Sequence, residues 1–214
     1  MKLYTYFRSS AAFRVRIALN LKGLDYTAVP VHLTRDGGAQ HGPDYRAVNP
    51  AALVPALVDG DATVTQSLAI IEYLDETFPS PPLLPPDPPG RARVRAIALS
   101  IACEIHPLNN LRVLNYLTGQ LGLDEAQRTA WYRHWVEGGL AAVEAMLAGH
   151  PATGRFCHGD TPGMADCVLV PQVFNARRFD CRLDHVPTVT RIAAACEALD
   201  AFARAAPAAQ PDAE

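Results

Sequence analysis

Between Pro79 and Gly90, seven of twelve residues are proline: Pro79, Pro81, Pro82, Pro85, Pro86, Pro88 and Pro89. Proline fixes φ and donates no hydrogen bond, so this run fits neither a helix interior nor a central strand. It divides the 214-residue chain into two halves of different texture. Upstream, residues 2–7 are aromatic and β-forming, residues 13–22 carry apolar side chains at helical spacing stopped by Gly23, and residues 25–31 read as a second strand. Strand, helix, strand implies a parallel pair with a right-handed crossover. Residues 53–58, the turn Asp59-Gly60-Asp61 and residues 62–65 form a hairpin signal. Pro55 belongs at a strand start, an edge or a cis turn. Gln66 and Ser67 then open the apolar helix 68–74, with Ser67 at its expected N-cap. Downstream there is no strand signal, and helices are expected at 91–118, 124–148, 164–177 and 188–204, with a frayed tail after Ala205. The expected organisation is an α/β domain over 1–80, a linker over 81–90 and an all-helical domain over 91–214.

Composition narrows the function classes. A net charge of −3 supplies no basic field to draw the chain to nucleic acid or anionic membranes. No apolar run reaches the length of a membrane span, and the opening Met1-Lys2-Leu3-Tyr4 runs into strand-like sequence rather than a signal peptide, so the chain reads as cytoplasmic. The five cysteines are scattered and odd in number, which suggests buried small hydrophobes rather than disulfides or a zinc site. A reactive thiol at Cys157 or Cys181 is the lesser alternative. His158 and Asp160 lack a third partner at ligand spacing, so no metal is expected. Arg91, Arg93 and Arg95 do not share a helix face and read as solvated.

The chemistry-bearing stretch is the strand-to-helix turn Arg8-Ser9-Ser10-Ala11-Ala12-Phe13-Arg14. Serine caps a helix by accepting a free backbone N–H, and the positive end of the helix dipole lies just beyond. A thiolate would be stabilised there, yet the chain has no cysteine near the turn. A reacting sulfur must come from a bound ligand, which points to glutathione.

The motifs converge on one family. Ser9-Ser10 with Phe13-Arg14-Val15-Arg16-Ile17-Ala18-Leu19-Asn20-Leu21-Lys22-Gly23, Asn49-Pro50, Val54-Pro55-Ala56-Leu57, Gln66-Ser67-Leu68-Ala69-Ile70-Ile71-Glu72-Tyr73-Leu74 and Ala165-Asp166-Cys167-Val168-Leu169-Val170-Pro171-Gln172-Val173 together resemble the zeta class of glutathione transferases. That class includes maleylacetoacetate and maleylpyruvate isomerases. Cys103-Glu104-Ile105-His106-Pro107-Leu108-Asn109-Asn110 and the closing Ala205–Asp212 segment look closer to the maleylpyruvate enzymes. The resemblance implies the glutathione transferase fold: α/β plus all-α, with an N-terminal thioredoxin-like domain and a C-terminal all-helical domain. It also implies a homodimer.

Site roles follow from the same resemblance. Ser9 and Ser10 activate the glutathione sulfur beside Ala11, where the family usually has cysteine. Val54 and Pro55 form a cis junction exposing backbone to the cysteinyl unit, Gln66 and Ser67 hold the γ-glutamyl carboxylate at a helix start, and Gln40 and His106 match further glutathione contacts. Activation then rests on hydroxyl and amide donors plus the dipole, which lower a thiol from its usual pKa of roughly 8.5. The implied substrate is a small dicarboxylate, whose charges call for arginine. Arg8, Arg112 and Arg178 are the candidates, with Arg8 and Arg178 counted in the catalytic set beside the two serines. Asp166 reads as a structural cap, with Gly163 as a weak N-cap before it. The expected activity is glutathione-dependent cis-trans isomerisation of maleylpyruvate or maleylacetoacetate. A conjugating or dehalogenating transferase acting on α-halo acids and a non-catalytic module of the same fold are the alternatives.

Overall fold

A computed structural model describes residues 1–214. The chain forms two compact units, Met1–Leu83 together with Ala198–Glu214, and Leu84–Glu197. No helix is long and apolar enough to cross a membrane.

The first unit is built on a four-stranded sheet: β1 (Lys2–Thr5), β2 (Thr27–Pro30), β3 (Ala56–Asp59) and β4 (Ala62–Thr65), in the order β2-β1-β3-β4. The pair β1–β2 is parallel, as the strand-helix-strand pattern requires, while β3 and β4 run antiparallel as the hairpin. Helix α1 (Ser10–Leu21) makes the crossover, α2 (Pro43–Val48) follows β2, and α3 (Ser67–Thr77) follows β4. Register places the end of β1, the start of β3 and the end of β4 side by side, because Tyr4 pairs with Ala56 and Ala56 with Thr65. Residues 6–10, 54–55 and 66–67 therefore leave the sheet at one end.

Helix α1 is buried almost all round, including two arginines, Arg14 and Arg16. It packs against α3 and against α9 (Asp200–Ala203) from the far end of the chain. This corrects the expectation of a frayed tail. Asn20 Nδ2 donates to Ala201 O at 2.9 Å, Phe202 and Ala205 are buried, and the last seventeen residues complete the first unit rather than the helical one. The alanine-rich composition hid this because alanine packs flush against a helix while giving no periodic signal of its own.

Lys22 ties α1 to the proline segment. Its side chain is fully enclosed, and Nζ donates to Asp75 Oδ1, Phe78 O and Pro81 O, each at 2.8 Å. Asp75 Oδ1 also accepts from Leu83 N at 2.7 Å. All three ammonium donors are used, so the rigid chain after α3 is pinned to the first unit.

The second unit holds α4 (Pro88–Leu99), α5 (Leu111–Gly119), α6 (Glu125–Leu147), α7 (Met164–Arg178) and α8 (Pro187–Glu197). Helix α4 starts within the expected linker, capped by Asp87, whose Oδ2 accepts from Gly90 N at 2.7 Å. The single helix expected over 91–118 is broken. A wide π-turn over Ser100–Ile105 and a tight turn over His106–Asn109 separate α4 from α5. Pro107 accounts for the break, since it lacks the N–H and its ring clashes with the preceding turn. Gly139 of α6 lets that turn approach closely, because a Cβ there would lie 2.4 Å from Ile105 Cγ1.

Asp166 caps as expected: Oδ2 accepts from Gly163 N and Oδ1 from Cys157 N, both at 2.9 Å. Arg93 is not solvated. Its guanidinium donates to Cys157 O and Thr153 Oγ1, each at 2.7 Å.

Lys22→Met leaves the Asp75 carboxylate, nearly enclosed, without its counter-charge. A loss on the order of 3 kcal/mol is expected from breaking a buried pair in this way. Urea unfolding followed by circular dichroism measures it, with exposed Lys2→Met as the control that leaves the midpoint in place.

Candidate functional site

The turn after β1 supplies the first element. Ser9 is the N-cap of α1, with extended backbone (φ −71°, ψ 115°), and its Oγ accepts from Ala12 N at 3.2 Å. A hydroxyl that accepts there keeps its own O–H to donate elsewhere. Ser10 is buried and Ala11 half-buried in the first turn, where a helix has no internal acceptors for its amides. No acidic residue stands in that turn to offset the dipole.

The second element is the Val54–Pro55 junction, whose peptide bond is cis. Tyr45 Oη and Asn49 Nδ2 donate to Leu53 O at 2.6 and 2.7 Å, so the chain entering the junction is fixed by two hydrogen bonds. Burial pushes the Tyr45 phenol up to about 12, which keeps it a donor. Val54, Tyr45, Tyr6, Phe7 and Val31 form one apolar cluster, so the serine turn and the proline junction share a packing unit.

The third element opens α3. Here Gln66, not Ser67, is the N-cap, and Ser67 is the first helical residue. Gln66 has φ +70°, a conformation costly for a residue with a side chain by about 1–3 kcal/mol. Ser67 Oγ accepts from Arg14 Nη1 at 3.2 Å, which brings a buried guanidinium to this helix start. Arg14 was missed as a site residue because it sits mid-helix; its signal was a charge on a face otherwise apolar.

Gln40 is buried, and its Nε2 donates to Leu33 O at 3.2 Å. Gly38, at φ +96°, makes room for it: a Cβ there would come within 2.5 Å of the Gln40 amide. Gln40 Oε1 is enclosed without a donor. That orphaned acceptor, with the backbone-rich junction and the two helix starts, fits an extended peptide ligand carrying both N–H donors and a carboxylate.

The arginines divide by environment. Arg8 is exposed, stacked over the Phe7 ring at 4.7 Å from its centroid, with Glu214 at 3.7 Å. Arg112, on the first turn of α5, and Arg178, on the last turn of α7, make no ion pair, whereas neighbouring Arg177 is tied to Glu197 at 2.6 Å. Arg178 lies over the Phe179 ring, 5.1 Å from its centroid, and Phe179 stacks on buried Tyr132. His106 begins the tight turn before α5, with Nε2 3.5 Å from Asn110 Nδ2. Trp131 Nε1 holds that turn through Leu108 O at 2.8 Å.

The chain's four buried thiols are poor nucleophiles. Cys157, Cys167, Cys181 and Cys196 are buried, and burial raises Cys181 to about 11 and Cys157 well above its ordinary value. The lesser alternative of a reactive Cys157 or Cys181 has no support in this environment.

Residues 8–77 match the family model of the glutathione S-transferase N-terminal domain, and residues 125–205 match that of the C-terminal domain. The probable maleylacetoacetate isomerase of Vibrio cholerae is 52% identical, covering 99% of this chain and 97% of that protein. A solved holo structure of a maleylpyruvate isomerase, described as a bacterial glutathione S-transferase in the zeta class, superposes with a TM-score of 0.97 at 51% identity and full coverage of both chains. A maleylacetoacetate isomerase from Methylobacterium extorquens AM1, solved with bound malonate and glutathione, gives a TM-score of 0.95 at 46% identity, again with full coverage of both. Two matched domains, a continuous relative and a near-superposable fold place this chain in the glutathione S-transferase family, in its zeta class.

Proposed function

We propose that the chain is a glutathione-dependent cis-trans isomerase of maleylpyruvate or maleylacetoacetate, working in the cytoplasm as a homodimer. The observation that carries this reading is the convergence of the serine turn, the proline junction and the start of α3 at one end of the sheet. Relatives named for the two isomerisations, and a neighbour holding glutathione with the dicarboxylate malonate, support it.

Bound glutathione supplies a thiolate that adds reversibly to the conjugated double bond, which loses its double-bond character, rotates and is restored in trans geometry. The protein's part is electrostatic and positional. Ser9 donates its free O–H to the sulfur, Ser10 and the Ala11 amide add donors, and the dipole of α1 favours the negative charge. Val54 offers its backbone to the cysteinyl unit, with Pro55 fixing the direction of the chain. Gln66 and Ser67 receive the γ-glutamyl carboxylate beside Arg14, Gln40 Oε1 accepts from a ligand amide, and His106 makes a further contact. Arg112 and Arg178, without carboxylates of their own, bind those of the substrate. Arg8, whose exposed pairing with Glu214 is weak, is the third arginine assigned to the substrate carboxylates. As addition drives charge onto the carbonyl oxygen, a preorganised guanidinium stabilises the transition state more than the ground state.

Isomerisation of either maleyl compound should require glutathione yet leave total thiol unchanged, whereas a conjugating or dehalogenating enzyme depletes it. Assay of the fumaryl product alongside thiol titration decides between them, and equal rates without glutathione overturn the proposal. Arg178→Ala should lower kcat/KM for the maleyl substrate by roughly a hundredfold, in the range of other lost charge-stabilising donors, while the KM for glutathione stays within about twofold. Equal losses in both parameters contradict the role given to Arg178. Ser9→Ala should raise the pKa of the bound thiol by about one unit, a tenfold smaller thiolate fraction at pH values below both pKa values. Ultraviolet titration of the complex reads this directly.

A further inference from the structure

The closing residues of the chain reach the sulfur turn. Strand β1 ends at Thr5, and Val31 N bonding to Thr5 O is the last rung of the ladder, so the Tyr6 and Phe7 backbone groups have no strand to pair with. The tail, one helix residue and the turn itself supply partners instead. Asp212 Oδ2 accepts from Phe7 N at 3.0 Å, across 205 positions of sequence, and Arg16 Nη2 donates to Phe7 O at 3.0 Å. Tyr6 O takes both Ser9 N, at 2.9 Å, and Arg16 Nη1, at 3.3 Å. Arg16 Nε in turn holds Ala205 O at 3.0 Å. Gln210 folds the tail back through Arg204 O and Ala206 O, at 2.8 and 2.9 Å, presenting Asp212 to the turn. Phe7 N–H is the one hydrogen bond of the Asp212 carboxylate, whose Oδ1 is enclosed without a donor.

We infer that Asp212 is a positioning residue for sulfur activation: by holding Phe7 it fixes the Phe7-Arg8-Ser9 run, and with it the direction of the Ser9 hydroxyl and the first amides of α1. The inference rests on the role proposed for Ser9. Position and charge make opposite demands here. The charged and titratable groups around this turn include Tyr6, Arg8, Arg16, Tyr26, His32, Arg35 and Glu214, the last of which contacts Arg8, His32 and Arg35. Were charge alone at work, removing the Asp212 carboxylate would help a nearby sulfur to ionise. Loss of positioning hinders it.

The test is ultraviolet titration of glutathione bound at saturation to the full-length enzyme, with kcat, KM and thermal midpoint measured in parallel for Asp212→Ala, Asp212→Asn and Ser9→Ala. Asp212→Ala should raise the pKa of the bound thiol by about one unit and lower kcat roughly tenfold at neutral pH. Asp212→Asn keeps an oxygen for Phe7 N–H and should hold the thiol pKa within about 0.3 unit and kcat within about twofold of the unaltered enzyme, which a merely stabilising contact would not distinguish in the titration. A thiol pKa unchanged or lowered in Asp212→Ala, with Ser9→Ala raising it, overturns the inference and leaves the functional reading standing. No shift in either Ser9→Ala or Asp212→Ala overturns both.

Discussion

The Arg16 guanidinium is the contact on which the first unit depends. Fully buried in the middle of α1, it donates to Thr5 Oγ1, Tyr6 O, Phe7 O and Ala205 O, so a single planar cation joins the end of β1, the serine turn, the crossover helix and the returning tail. Burial lowers its pKa to about 10, which still leaves it charged across the range in which proteins work. A buried cation is tolerated only when its donors are satisfied, and here neutral carbonyls and a hydroxyl do most of that work. The fork geometry of arginine suits acceptors spread around a plane, which a lysine ammonium could not reach together.

From that anchor the rest of the site follows by register. Once β1 is fixed, the pairing of Tyr4 with Ala56 and of Ala56 with Thr65 sets where the proline junction and the start of α3 emerge. The apolar cluster of Tyr6, Phe7, Val31, Tyr45 and Val54 fills the space between two of these segments, and the Arg14–Ser67 hydrogen bond links α1 to the third. Hydrogen bonding and packing therefore carry complementary shares: polar contacts set direction, and apolar contacts set distance.

Much of this was legible in the residues. The alternation of strand and helix signals, the glycine-marked hairpin and the proline run disclosed a sheet-bearing half and a helical half, and Ser9 declared itself as a cap by its position before an apolar helix. The features that were missed, and the solvated reading of Arg93, share a cause. Arg14, Arg16, Lys22 and Arg93 are charges whose partners are carbonyls or side chains remote in sequence, and no local pattern reports those. The break at Pro107 was hidden by apolar periodicity that persists through the π-turn on both sides. Ser67 was placed one position early in its role because the true cap, Gln66, adopts a backbone conformation that its side chain gives no reason to expect. The tail was misjudged because it lacks heptad-like spacing, yet it is fastened by Asn20, Arg16 and Phe7 from the opposite end of the polypeptide.

That fastening makes the helical unit an insertion within the sheet-bearing one, whose own chain is discontinuous. During synthesis the strands emerge first, but α1 lacks its α9 neighbour and the serine turn its Asp212 carboxylate until residues 200–212 have been made. The helical segment, contiguous in sequence, can close its core earlier. The half whose strands are translated first thus cannot complete its packing until residues beyond the helical segment have been made.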